Sequence, residues 1–139
     1  MKELLYKIKI SDNNCCRLCN QSTESIVHLF SECIVSNALW NNLISWIETN
    51  ITIKLNLDKK SKIIGYIQQD KFFSPFNFFL TLTRRYIFNC AKAEQNPNIY
   101  YLQNMIKSKY YEQEMLSKIN NKFEKFKYNW LTWHTIFSD

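Results

Sequence analysis

The chain has 139 residues, a formal net charge of +6 at pH 7, 46% apolar residues and 16% aromatic residues. That is enough apolar material for one modest domain with a core of its own, and no run approaches the roughly 20 consecutive apolar residues that a membrane helix needs. One glycine and two prolines leave little for Gly-rich phosphate loops, flexible linkers or β-turn meanders, so the expected class is mostly α, with little or no sheet.

Residues 3–10, ELLYKIKI, alternate Tyr6, Ile8 and Ile10 against Lys7 and Lys9, which suits a short strand or an extended lead-in. Residues 1–15 are therefore set apart as a lead-in or the end of a preceding domain. The stretch lacks the apolar core and cleavage site of a signal peptide, and five cysteines is an odd number. A reducing, intracellular setting (cytoplasmic, nuclear or both) is expected over a disulfide framework.

The stretch that follows asks for a specific chemistry. Cys16 and Cys19 stand two residues apart, His28 follows after eight more, and Cys33 after another four. Three thiolates and one imidazole suit a single tetrahedral zinc, because a CxxC turn aims two sulfurs at one point while a second element delivers the other pair. Four ligands make a closed, structural site, whereas a catalytic zinc keeps one position open. Asn20 is the non-glycine residue most able to take the positive φ that such a knuckle needs after its second cysteine. Thr23 reads as an N-cap, with Glu24 in the first turn, for a short helix over 25–31 that carries His28. Cys15 is an alternative to Cys16 at CxxxC spacing. Buried free cysteines would not explain a histidine at ligand spacing, and a thioredoxin-like CxxC needs a helix at its first cysteine where RLCNQSTES offers a turn. The segment 16–50 is completed by a helix capped by Ser36, with Ala38, Leu39, Leu43, Trp46 and Ile47 on its apolar face and Trp40 and Ile44 beside it.

Residues 51–139 read as a basic, aromatic-rich helical region packed on that segment. ITIKLNL at 51–57 alternates like a strand but has no evident partner, so it is expected to be extended. Asp58 caps a basic turn, DKKSKIIGYI, that Gly65 ends or bends. Ser74 and Pro75 open a helix through about Ala93, with Phe78, Phe79, Leu82, Tyr86 and Cys90 at spacings of three and four, and NPN at 96–98 stops it. From Ile99 to about Trp133 the period is helical again. Leu102, Met105 and Ile106 form one cluster, Leu116, Ile119, Phe123, Phe126 and Trp130 another, and Asn120–Asn121 offers a break. His134 has no partner at ligand spacing and reads as a surface or turn residue.

Charge is uneven. Residues 1–53 hold four Lys or Arg against five acids, and residues 54–127 hold fourteen against six. A phosphate backbone would use that excess. A coding sequence rich in A and T would also produce it, since the chain is heavy in Lys, Asn, Ile, Phe and Tyr. Arg84 and Arg85 lie among aromatic residues, where arginine can stack on unpaired bases as well as pair with phosphate, or simply cap helix neighbours. The four aspartates, Asp12, Asp58, Asp70 and Asp139, stand singly, so the paired carboxylates of a two-metal polymerase or nuclease are missing. No enzyme activity and no small-molecule substrate are expected.

CRLCNQSTESIVHLFSEC followed by SNALWNNLISWI resembles the zinc-binding segment at the C-terminal end of reverse transcriptases of LINE-type, non-LTR retrotransposons. The features that carry the resemblance fall on Cys16, Cys19, Glu24, Ser25, His28, Leu29, Phe30, Cys33 and Trp40. SPFNFFLTLTRRYIFNCAKAEQNPN and NNKFEKFKYNW look, more loosely, like the region that follows it. The resemblance implies one structural zinc on Cys16, Cys19, His28 and Cys33, in a small knuckle followed by a helical bundle-like domain. It implies a non-catalytic accessory module that helps a polymerase domain, in the same or a related chain, to hold RNA or DNA. Arg17, Arg84, Arg85, Lys118, Lys122 and Lys125 are the expected nucleic-acid contacts. A structural or protein-interaction module that braces a polymerase or binds a host factor is the alternative.

Overall fold

Helical spacing and its interruptions account for most of the architecture, seen in a computed structural model that describes residues 14–65 and 73–137, the first two of the second stretch by backbone alone. The alternating lead-in at 3–10 and the Ser74 side chain expected as a cap lie outside the described residues. After the cysteine-rich turn comes a π-helical turn, His28–Glu32, and then α1, Ile34–Asn50. α2 is Lys59–Ile64, α3 is Phe73–Ala93, α4 is Ile99–Ile119 and α5 is Phe123–Asn129, followed by a 3-10 turn at His134–Phe137. Among the described residues the only β pairing is one antiparallel bridge between Cys15 and Thr23. The mostly α class expected from composition is what is found.

Local chemistry sets the boundaries. Asp58 caps α2 by accepting from Ser61 N–H, and Gly65 ends it at φ 88°. A Cβ there would meet Asn77 Oδ1 at 3.0 Å besides straining the backbone. α3 stops at a residue that composition did not flag: Glu94 takes φ 54°, and Gln95 N–H reaches back to Cys90 O, a Schellman closure without glycine. Asn98 then caps α4 by accepting from Tyr100 and Tyr101 N–H. The same closure recurs where Asn121, at φ 58°, lets Lys122 N–H bond Ser117 O. Residues 53–58 form neither helix nor strand, with Ile53, Leu55 and Leu57 half-buried and alternate residues exposed.

Two expected features of the last segment are corrected by the structure. Leu116 and Ile119 were expected on a packing face, but they are exposed, because α4 runs on past the core beyond Tyr110. The helical period expected to reach Trp133 ends at Asn129, and the chain folds back so that Trp130, Trp133, Ile136 and Phe137 are buried. Tyr111 Oη donates to Phe137 O at 2.9 Å, and Thr135 Oγ1 donates to Asn50 O at 3.2 Å, which ties this return to α4 and to the end of α1.

The core is aromatic. Phe79 of α3 lies 5.4 Å from Trp133, 6.0 Å from Trp130 and 6.0 Å from Phe137, centroid to centroid, while Tyr110 stacks on Phe137 at 3.8 Å. Edge-to-face pairs of this kind add about 0.5–1.5 kcal/mol each beyond the area they bury. Buried residues from Cys16 to Phe137 form one continuous cluster, so the cysteine-rich segment and the helical region share a core. The π turn packs against α1, α2 and α3.

Candidate metal centre

The cysteine-rich turn is built by its own backbone. Cys16 N–H bonds Ser22 O, Asn20 N–H bonds Cys16 O, and Glu24 N–H bonds Asn14 O, which folds 14–24 into a loop closed at its base by the Cys15–Thr23 bridge. Asn20 sits at φ 57°, the conformation expected of it. The bridge places Cys15 on the exposed side and buries Cys16 completely, so Cys16, not its neighbour, faces the site.

The second half comes from the π turn. Thr23 does not cap it; Ser25 does, its Oγ accepting from His28 N–H, because Thr23 is held in the bridge. Cys33 N–H bonds His28 O at 2.7 Å, an i→i+5 bond. In an α-helix residues five apart are roughly 140° apart around the axis, which would send the His28 and Cys33 side chains in different directions. The wider π turn brings both to one place. Cys33, extended at φ −65° and ψ 129°, ends that turn and starts α1 without a side-chain cap from Ser36, whose buried Oγ is without a hydrogen-bond partner. Trp40 Nε1 donates to Phe30 O at 2.8 Å and fastens α1 to the turn.

Cys16, Cys19, His28 and Cys33 bring three sulfurs and one imidazole nitrogen within 4.8 Å of one another. Cys16 Sγ lies 3.9 Å from Cys33 Sγ, and Cys19 Sγ lies 3.2 Å from His28 Nε2. Zinc bonds of normal length in a tetrahedron require edges of roughly 3.8 Å between sulfurs and roughly 3.5 Å between sulfur and nitrogen. The donor set fits zinc in both identity and spacing, and the four residues form a candidate zinc site. With four protein donors it is a structural site, in which the metal would tie the loop to the π turn and the start of α1. The thiols already share charge. The hydrogen bond from Cys16 lowers Cys33 to about 5 and its counterpart raises Cys16, with the backbone N–H groups of Val35 and Ser36 also favouring the Cys33 thiolate.

Arg17 and Glu24 brace the loop. Glu24 is completely buried, and it receives Arg17 N–H at 2.9 Å, Nε at 3.1 Å and Nη2 at 2.6 Å. Glu24 holds Arg17 above its ordinary pKa. The sequence pattern gave Glu24 only a first-turn role, since a pair seven residues apart across a loop has no periodic signature.

The other expected nucleic-acid contacts do not gather in one place. Arg84 is half-buried against α2, its Nη1 reaching Ser61 O at 3.4 Å and Nη2 reaching Thr81 Oγ1 at 3.1 Å, and burial lowers its pKa. Arg85 is exposed on the same helix. Lys118 pairs with Glu114 at 3.2 Å and lies 4.8 Å from the centre of the Phe123 ring. Lys122 and Lys125 are exposed and, among the described residues, pair with no carboxylate. They line a cleft of about 420 Å³ with Phe78, Phe126 and Trp130. His134 is exposed and its Nδ1 lies 2.6 Å from Leu131 O, the turn role expected of it.

Residues 1–40 match the family described as zinc-binding in reverse transcriptase (zf-RVT). The match spans all four candidate ligands and supports a reverse-transcriptase-associated zinc-binding region in this part of the chain. No curated protein and no solved structure matches the chain. No helix among the described residues is long and apolar enough to cross a membrane.

Proposed function

We propose that this chain is an accessory, non-catalytic nucleic-acid-binding module of a LINE-type, non-LTR reverse transcriptase, with one structural zinc. The observation that carries the reading is the closed four-donor site inside the segment that matches the reverse-transcriptase zinc-binding family. A closed site holds structure and offers no open position for substrate. The module's partners are RNA or DNA and a polymerase domain in the same or a related chain. The basic excess after residue 54 and the uncommitted Lys122 and Lys125 support a phosphate-bearing partner.

A second reading, a structural or protein-interaction module, is favoured by the exposed Met115, Leu116 and Ile119 at the far end of α4. A salt titration separates the two. Phosphate contacts make affinity for single-stranded RNA fall steeply with salt, by about 0.7 power of salt concentration per contact, whereas an apolar protein interface responds weakly. Absence of salt-sensitive binding by the zinc-loaded chain would refute the nucleic-acid reading.

A further inference from the structure

α5 separates two clefts that share a floor. On one side Lys122 and Lys125 line the 420 Å³ cleft together with Asn120 and Asn129. On the other a cleft of about 270 Å³ is walled by Tyr110, Phe123, Phe126 and Trp130, with Lys127 and Glu114 at its edge. Phe126 and Trp130 belong to both. The Phe123 and Phe126 rings lie nearly parallel, 15° apart with centroids 6.4 Å apart, and both are half-buried at the cleft wall. Lys118 and Lys127 sit 4.8 and 5.1 Å from the Phe123 centroid. Glu114 is neutralised by Lys118, and Glu124 by Lys127 at 3.2 Å, which leaves Lys122 and Lys125 as the net charge beside the slot.

Building on the nucleic-acid reading above, we infer that this pair of clefts is a nucleotide subsite. An unpaired base stacks on Phe123 and Phe126 in the aromatic slot, and the phosphate attached to it crosses α5 to Lys122 and Lys125. The chemistry selects this occupant. An aromatic floor accepts any base by its π-face, and the adjoining lysines supply the counter-charge that a nucleotide needs and an aliphatic ligand does not. A base held in a duplex cannot present its face to such a slot, so the ligand is single-stranded. Lys122 and Lys125, three apart around the start of α5, fall on one side of it.

The test uses the zinc-loaded full chain and three probes of on the order of ten nucleotides: an oligouridylate, an abasic ribose-phosphate oligomer of equal length, and an RNA duplex. The oligouridylate should bind about tenfold more tightly than the abasic oligomer, the size of one stacked base, and more tightly than the duplex. Phe123→Leu should abolish the discrimination against the abasic oligomer while leaving the salt slope unchanged. Lys122→Gln with Lys125→Gln should flatten the slope by about 1.4 and keep the discrimination. Phe123 is a rim residue, so Phe123→Leu leaves the fold intact. A second readout needs no substitution at all: a bromouridine-bearing oligonucleotide irradiated on the parent chain should crosslink within residues 123–131. Base discrimination that survives Phe123→Leu, or crosslinks that map elsewhere, would overturn the subsite while leaving general RNA binding standing. Failure of the parent to bind any of the three probes would overturn both.

Discussion

Arg17 closes a fork on Glu24, with Nη2 2.6 Å from Oε1 while the backbone N–H and Nε share Oε2. The pair sits between the first two metal ligands and the π turn, and the carboxylate has no exposure to solvent. Removing the guanidinium takes the side-chain counter-charge from a fully buried carboxylate, which keeps the bond from the residue-17 N–H. Arg17→Ala should therefore destabilise the zinc-loaded chain by about 1.5–3 kcal/mol, the range for losing hydrogen bonds to a charged group. Arg17→Lys should recover only part of this, because an ammonium cannot reproduce the planar fork. Urea unfolding of both variants, with zinc affinity from a chelator competition, measures it; a loss under about 1 kcal/mol, the range of a surface pair, would count against a bracing role.

Zinc affinity should fall on acidification. Cys33 is held near 5 by the hydrogen bond from Cys16, while Cys16 retains its proton. Zinc takes both as thiolates, so binding near neutrality expels at least the Cys16 proton, and affinity drops about tenfold per pH unit for each proton displaced. Below about 5 the Cys33 thiolate is itself protonated and the dependence steepens. Calorimetry in buffers of different ionisation enthalpy counts the protons; a value of zero at pH 7 would be inconsistent with the shared-proton pair.

Metal removal should loosen the loop most and α2 next, and α3 and α4 least. Residues 14–33 have few large apolar side chains of their own, and the π turn packs on α1, α2 and α3. By contrast, Phe76, Phe79, Trp130 and Trp133 bury one another without the metal's help. Hydrogen exchange with and without chelator should show protection lost over 16–33, including the Trp40 indole N–H, and retained over 76–91 and 102–110. Equal protection of 16–33 in both states would contradict this.

Trp133→Ala should cost about 3–5 kcal/mol, the range for emptying a large aromatic site in a core. Trp133 is completely buried and touches both Phe76 and Phe79. Urea unfolding should also show the last turn, through Phe137, lost from α4. In contrast, Arg84→Ala should cost about 1 kcal/mol, from hydrogen bonds to α2 and Thr81, and Arg85→Ala almost nothing.

The metal ligands were legible in the sequence because their spacing is a covalent fact, and tetrahedral geometry translates it directly into a site. Helix ends at Asp58, Gly65 and Asn120 were legible for the same local reason. Thr23 and Ser36 were misassigned as caps because each had a competing use: Thr23 in a bridge, Ser36 inside the core behind Cys33. Periodicity placed Leu116 and Ile119 on an apolar face but could not say that this face stays exposed. Trp133 and Phe137 return to the core by a turn that has no period, and the Arg17–Glu24 pair and the two-sided cleft around α5 depend on contacts that no spacing encodes.

The i→i+5 bond from Cys33 N–H to His28 O makes chain length between ligands elastic on one side of the metal and rigid on the other. Asn20, Gln21 and Ser22 lie exposed at the tip of the loop, where an added residue lengthens a turn and moves no donor. Between His28 and Cys33 there is no such slack, because an added residue sets the two ligands six apart, roughly 120° away from each other around a helical axis. An insertion after Gln21 should keep one zinc per chain, and insertion of one residue after Ser31 should abolish it. Working relatives of this segment should therefore differ freely in the distance from the second cysteine to the histidine and not lengthen the distance from the histidine to the last cysteine.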